Sequence, residues 1–151
     1  MEKSEKALNY FDNNFNCAQS VLAVFAEEFG LSEDEALRLA CAFGGGIGRQ
    51  QLTCGAVTGA AMAIGLKFGK GKSDANAKKL DTYEKTIAFF NEFTQLHGST
   101  TCLELLDNLH MNDETENSII KERGLFTDKC RKYVADSVSL VEKIIDNQTK
   151  E

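Results

Sequence analysis

The chain contains no proline, and its apolar residues recur every three to four positions with little strict alternation. Proline interrupts helices and alternation marks strands, so both absences favour helix along the whole chain. We predict an all-α protein, a single-domain antiparallel helical bundle of about six to seven helices over residues 1–151. A chain of 151 residues can bury roughly two thirds of the surface that it exposes when unfolded.

The sequence also lacks a long apolar run and a secretory signal. Its longest largely apolar stretch, residues 56–66, has eleven residues, whereas a membrane span needs about twenty. The first ten residues have no apolar core or small-residue cleavage site. The net charge of −6 argues against nucleic acid or an anionic membrane as a partner. We therefore expect a cytoplasmic protein without membrane insertion and without a nucleic-acid partner.

Motifs for hydrolysis and nucleotide binding are missing as well. The chain has two histidines, and neither stands in a recognisable nucleophile context, which argues against a hydrolase triad. The run GGGIGRQQ departs from G-x-G-x-x-G, and no predicted strand precedes it. Its backbone amides could still hold a small anion, so Gly46, Gly48 and Arg49 are a candidate anion site.

Glycine is concentrated in one stretch. Eight of the twelve glycines lie between Gly44 and Gly69. Thr53 is a candidate N-cap for the helix that follows, and Gly55, Gly59 and Ala63 recur on one nearly bare face. Such a face allows another helix to approach closely. It also suits a contact between two copies of the chain, so a homodimer is our hypothesis for the assembly.

Apolar spacing predicts the buried faces of the later helices. The long helix ending at His97 is expected to begin at the cap Ser73. Its predicted inward stripe is Leu80, Tyr83, Ile87, Phe90 and Thr94, flanked by Phe89 and Phe93. Thr127 is the predicted cap of the last helix, over residues 128–147.

Five cysteines in a chain without an export signal argue against a static disulfide framework. Four of them fall in the first turn of a predicted helix: Cys17, Cys54, Cys102 and Cys130. Free backbone N–H groups and the helix dipole stabilise a thiolate at that position. Cys41 lies near the end of a helix on its apolar side, and we assign it to packing.

These residues resemble a known family. Cys17, the run CGAVTG that begins at Cys54, then Cys102 and Cys130 are similar to the C_GCAxxG_C_C family of redox-active proteins. GGGIG and the GLF that precedes Cys130 strengthen the resemblance, which spans about residues 16–134. It implies that the four cysteines are the family's characteristic ones, and that Cys41 stands outside the pattern. It also implies redox activity and, through an association with transporter genes, a redox partner or a transporter-associated protein.

Three functions follow as alternatives. The first is thiol–disulfide or electron transfer, in which Cys54 attacks with help from Arg49 and a second cysteine, Cys17 or Cys102, resolves the mixed disulfide. The second is an iron–sulfur cluster or zinc held by Cys17, Cys54, Cys102 and Cys130. His97 and His110 could extend that ligand set, although the chain has no C-x-x-C pair. The third is a helical partner-binding or dimerisation protein without catalysis.

Overall fold

The structure, a computed structural model, describes residues 1–149. Its helices are α1 (Lys3–Asp12), α2 (Cys17–Ala26), α3 (Glu33–Cys41), α4 (Gly55–Phe68), α5 (Asn76–His97), α6 (Cys102–Leu105), α7 (Glu114–Glu122) and α8 (Cys130–Thr149), with a π-helical turn at Leu125–Lys129. The predicted all-α fold is confirmed. The described residues form eight α-helices, one or two more than predicted, and no strand beyond an isolated bridge.

Capping boxes fix the starts of α2 and α3. The Asn16 side chain accepts a hydrogen bond from the Gln19 backbone N–H at 3.0 Å, and the Gln19 side chain accepts one from the Asn16 N–H at 2.9 Å. Ser32 and Glu35 make the same reciprocal pair at the start of α3. Two backbone donors that a helix start leaves unpaired are satisfied in each case. Cys17, the first residue of α2, is therefore set in place by local sequence.

Helix α2 is the centre of the molecule. It packs against α1, α3, α4 and α8, and its buried residues run from Ala18 to Ala23 and include Phe25 and Ala26. The contact with α4 is the closest, because Gly59 faces the Ala18 backbone: a Cβ built at Gly59 would lie 2.7 Å from the Ala18 carbonyl oxygen. The bare face of α4 thus serves a helix contact within the chain, and it is not available to a second copy.

The predicted inward face of α5 is wrong. Leu80, Tyr83 and Ile87 are each more than half exposed, whereas Phe89 and Phe93 are fully buried. The two phenylalanine rings stack at 6.0 Å between centroids, and α5 packs mainly against α4 and α8. The helix also begins at Asn76, after Ala75, and Ser73 does not cap it. In the described part of the chain, no helix has the length and apolar character that crossing a bilayer requires.

A second, smaller core lies beside the main one. Leu106, Met111, Ile120 and Leu125 form it, together with Cys102. They come from α6, α7, the segment between these helices and the π-helical turn. Cys54 belongs to the main core, and Cys130 packs against both. The boundary between the two cores is therefore the place where cysteines from distant parts of the sequence meet.

We predict that Gly59→Ala destabilises the fold. The added methyl group would lie 2.7 Å from backbone, and backbone cannot move aside as a flexible side chain can. The free energy of unfolding should fall by about 2 kcal/mol, a loss typical of overpacking in a core. Urea denaturation followed by circular dichroism measures the change.

Gly65→Ala on the same helix is the matched control, because a Cβ there meets nothing within 4 Å. It should leave stability unchanged or raise it by up to ~1 kcal/mol, since alanine is the better helix former. Equal effects of the two substitutions would contradict the close α2–α4 contact.

Candidate functional site

All five cysteines line one pocket of about 500 Å³. It opens between the main core and the smaller one, and its walls also include the glycine loop from Gly44 to Gly48 and apolar side chains of both cores. Cys54 and Cys102 are buried, Cys17 and Cys130 are half-buried, and Cys41 is exposed. The structure thus brings together the four cysteines that the sequence singled out, over separations of 37, 48 and 28 residues.

The starts of α2 and α4 meet because glycine leaves room there. A Cβ at Gly55 would lie 3.1 Å from the Cys17 Cβ and 3.2 Å from the Ala18 nitrogen. On the other side of Cys17, the Asn16 side-chain amide donates to the Cys41 carbonyl at 2.9 Å, and a Cβ at Gly44 would lie 2.4 Å from that amide nitrogen. Small residues therefore hold Cys17 next to the start of α4.

A short backbone pairing joins the starts of α4 and α6. The Cys54 N–H donates to the Thr100 carbonyl at 2.8 Å, and the Cys102 N–H donates to the Leu52 carbonyl at 2.6 Å. Thr53 and Thr101 form an antiparallel bridge between these bonds. Cys54 itself is the N-cap of α4, so the prediction that Thr53 caps the helix and that Cys54 is its first residue was wrong by one position.

The glycine loop follows an unusual left-handed path. Five successive residues have positive φ: Gly45, Gly46, Ile47, Gly48 and Arg49. This conformation costs roughly 1–2 kcal/mol for each residue that carries a Cβ, so the three glycines limit the strain. Position 46 requires glycine for a second reason, because a Cβ there would lie 2.7 Å from the Cys102 Cβ. The Gly46 backbone therefore lies directly against the Cys102 side chain.

Gln51 anchors this loop through side-chain hydrogen bonds, a role that the sequence did not predict. Its side chain is buried, donates to the Leu109 carbonyl at 2.9 Å and accepts from the Met111 N–H at 2.7 Å. Asn112 adds a bond to the Arg49 carbonyl at 2.8 Å. These bonds join segments about 60 positions apart, and the sequence carries no local signal for them.

Cys130 does not lie at a free helix start. The predicted cap Thr127 is inside the π-helical turn, where its hydroxyl donates back to the Gly124 carbonyl at 3.1 Å. The helical path already begins at Leu125, after Gly124 in the left-handed conformation. Single π-helical turns are frequent at functional sites because they rotate the side chains that follow. Here the turn immediately precedes a pocket cysteine, and the predicted dipole effect does not apply to it.

Cys17 and Cys130 form a thiol pair. Hydrogen bonding with the Cys17 thiol lowers the pKa of Cys130 against the opposing effect of burial. The same bond, together with burial and the neighbouring sulfurs, raises the pKa of Cys17 well above its usual range. Such a pair loses its first proton readily and its second with difficulty. The acidic thiol of the pocket is therefore Cys130.

The other two buried thiols have the opposite character. Burial raises the pKa of Cys54 to about 12, even though the Ala56 and Val57 amides favour its thiolate. Burial likewise raises the pKa of Cys102 to about 12, with smaller contributions from the sulfurs of Cys54 and Cys130 that also raise it, while the Arg49 charge lowers it. Both stay protonated at neutral pH. Desolvation thus outweighs the helix-start effect that the sequence suggested.

Cys41 and Tyr133 take places that the sequence did not predict. Cys41 was assigned to packing, but it is exposed and lies on the pocket wall. The assignment was wrong because α3 is covered mainly by α2, which leaves the end of α3 open. Tyr133 also lines the pocket, and its hydroxyl donates to the Leu105 carbonyl at 2.9 Å. Its position three residues after Cys130, on the same helix face, was a signal for it.

Two backbone amides of the candidate anion site are already paired. The Gly48 N–H donates to the Ala42 carbonyl at 2.7 Å, and the Arg49 N–H donates to the Gly44 carbonyl at 3.1 Å. Gly46 is buried against Cys102. The Arg49 side chain lines the pocket and carries further N–H donors.

The four-cysteine metal centre finds no matching geometry either. Among residues 1–149, no group of three or more histidine, cysteine or acidic side chains is arranged to hold a metal ion. His97 lies 2.9 Å from an Asp136 oxygen, and His110 lies 3.3 Å from a Glu116 oxygen. Neither histidine is on the pocket wall. The thiols line the pocket, and Cys17 and Cys130 interact within it.

The chain is similar to one protein family and to an uncharacterized relative. Residues 15–144 match the family described as "Putative redox-active protein (C_GCAxxG_C_C)". A protein of Archaeoglobus fulgidus that is described as uncharacterized is 30% identical over 122 residues, which cover 74% of this chain and 81% of the relative. No solved structure shows significant similarity to the chain.

We predict that Gly46→Ala disrupts the site. The methyl group would lie 2.7 Å from both the Cys102 Cβ and the Leu52 nitrogen, at a φ of +67°. The free energy of unfolding should fall by about 3 kcal/mol, the sum of left-handed strain and overpacking. Thermal or urea denaturation measures it, and labelling of Cys102 by a small alkylating agent should speed up.

Gly48→Ala is the control, since it has a similar φ of +57° with nothing within 4 Å of the added Cβ. Only the conformational cost of about 1–2 kcal/mol should remain. If Gly46→Ala proves no worse than Gly48→Ala, the close contact between the loop and Cys102 does not exist.

Proposed function

The chain belongs to the C_GCAxxG_C_C family, and from the arrangement of its thiols we propose that it performs thiol–disulfide exchange in this pocket. Cys17 and Cys130 are the reactive dithiol. The observation that carries the proposal is that Cys17 and Cys130 line the same pocket as an interacting pair, in which hydrogen bonding with Cys17 lowers the pKa of Cys130. Thiolate is the attacking form in disulfide exchange, so the more acidic thiol attacks first.

The exchange proceeds in two steps. The Cys130 thiolate attacks one sulfur of a substrate disulfide, a mixed disulfide forms, and the first substrate thiol leaves with a proton. Cys17 then gives up its proton and attacks the Cys130 sulfur, which releases the second substrate thiol. The substrate gains two electrons and two protons, and the protein keeps a Cys17–Cys130 disulfide. A dithiol substrate would run the same steps in reverse.

This proposal moves the leading role from Cys54 to Cys130. Cys54 is only 5% exposed, and its pKa of about 12 keeps it protonated. Cys54 and Cys102 directly follow Thr53 and Thr101, which form the isolated antiparallel bridge, and the Cys54 sulfur raises the pKa of Cys102. A cytoplasmic location belongs to the proposal, because a reducing compartment keeps such thiols free.

The pH dependence of alkylation tests the acidic thiol. A lower pKa moves the labelling curve to lower pH, because only thiolate reacts with iodoacetamide. In timed labelling read by peptide mass spectrometry, Cys130 should react at lower pH than Cys54 and Cys102, whose pKa values of about 12 keep them unlabelled near neutrality.

Substitution of the donor provides the control. Cys17→Ala removes the hydrogen bond, so the Cys130 curve should move to higher pH, whereas Cys17→Ser keeps an O–H donor and should move it less. Cys41→Ser, on the same pocket wall, should leave the curve in place. A Cys130 curve that is identical in Cys17→Ala and in the unsubstituted protein would remove the basis of the pair.

Mild oxidation tests the disulfide itself. One equivalent of hydrogen peroxide should yield the Cys17–Cys130 disulfide first, because the more acidic Cys130 thiol is oxidised first and Cys17 is its interacting partner in the pocket. Peptide mapping of the unreduced protein identifies the bond, and Cys41→Ser should give the same product. A Cys54–Cys102 bond that forms first, or four thiols that oxidise independently, would contradict the proposed pair.

A further inference from the structure

The pocket has an unexpected charge for an acidic chain. The net charge is −6, yet among the described residues that line the pocket Arg49 alone has a side chain that is charged at neutral pH, apart from the thiols themselves. No carboxylate side chain shares the wall with it. A ligand in this pocket therefore meets one positive charge and no fixed negative charge of an acidic residue.

Arg49 is held at the pocket by neutral partners. Its Nε donates to the Asn112 side-chain oxygen at 3.3 Å, and Nη2 donates to the Met111 carbonyl at 3.3 Å. Neither partner cancels the charge. A guanidinium group has five N–H donors, so donors remain for a ligand. Its field also reaches into the pocket, because Arg49 lowers the pKa of Cys102.

The remaining walls are apolar. Phe11, Leu105, Leu106, Met111 and Phe126 contribute hydrocarbon and aromatic surface. A volume of about 500 Å³ lies in the range of small-molecule sites. Half-buried sulfurs at the bottom of such a pocket are reached by a small disulfide more readily than by a disulfide on the surface of a folded protein.

We propose that the substrate of this site is a small disulfide with an apolar or aromatic body and a carboxylate, and that Arg49 binds the carboxylate. The proposal rests on the thiol–disulfide function given above. Arginine suits this role because its planar donors match a carboxylate. The apolar walls would hold the body of the molecule while its disulfide faces the Cys130 sulfur.

Three disulfides of different charge test the proposal on the full chain. Dithiobis(nitrobenzoate) is anionic and aromatic, dithiodipyridine is neutral and aromatic, and cystamine is cationic. The reduced Cys41→Ser protein serves as the background, since the exposed Cys41 would react with every probe. Each rate of Cys17–Cys130 disulfide formation is divided by the rate of the same probe with the urea-unfolded protein, which cancels intrinsic reactivity. The normalised rates should fall in the order anionic, neutral, cationic.

Substitution of Arg49 separates charge from structure. Arg49→Gln should slow the anionic probe by about tenfold, the contribution of one charge-assisted hydrogen bond, and leave the neutral probe unchanged. Arg49→Lys keeps the charge and should restore most of the rate. Arg38→Gln removes an exposed arginine that is not on the pocket wall, and it should change nothing.

Equal slowing of all three probes by Arg49→Gln, or cystamine as the fastest probe, would overturn the assignment of Arg49 while leaving the thiol chemistry intact. Both proposals are wrong if no probe produces a Cys17–Cys130 disulfide in the folded protein although the unfolded protein reacts.

Discussion

The closeness of α2 to α4 is the constraint on which the site depends. Gly59 lets the Ala18 backbone come within a distance that a Cβ would not permit, and Gly55 allows a tight approach of Cys17. The starts of the two helices consequently lie side by side. Because Cys17 and Cys54 occupy those starts, the packing of the core determines the position of two of the pocket thiols. The position of the site therefore depends on the absence of a Cβ at Gly55 and Gly59.

The glycine loop brings the remaining elements to the same place. Its left-handed backbone is costly at Ile47 and Arg49, which carry a Cβ. Strain of this kind persists where surrounding contacts over-determine it. The buried hydrogen bonds of Gln51 provide such contacts, and they connect the loop to the small core that holds Cys102. The loop forms one wall of the pocket. Hydrogen bonds to a distant segment maintain its shape.

Much of this architecture could be predicted from the sequence. The absence of proline and the three-to-four spacing indicated helices, and Asn16 and Ser32, the N-caps of α2 and α3, are residue types typical of that position. The spacing of Gly55 and Gly59 indicated a close helix contact. These features are local, so a stretch of a few residues contains the information. The gathering of the four cysteines was suggested by their places at helix starts and by the family resemblance.

The properties that distinguish the thiols from one another could not be predicted. Position at a helix start suggested that Cys54 is the acidic thiol, but burial has the larger effect on its pKa. The acidity of Cys130 comes from its interaction with Cys17, more than one hundred residues away, and Cys130 follows a π-helical turn that no apolar pattern predicts. The prediction of the buried face of α5 was wrong for a similar reason. The neighbouring helices, and not the apolar periodicity of α5, determine which of its residues are buried.

The coupled titration of Cys17 and Cys130 can be followed by NMR of protein with isotope-labelled cysteine, in which each Cβ resonance is recorded as the pH rises. We predict that Cys130 titrates first and that Cys17 titrates at much higher pH as its coupled partner; in Cys17→Ala the Cys130 titration should move to higher pH. Independent titrations of the two thiols, with Cys130 unaffected by the loss of Cys17, would contradict it.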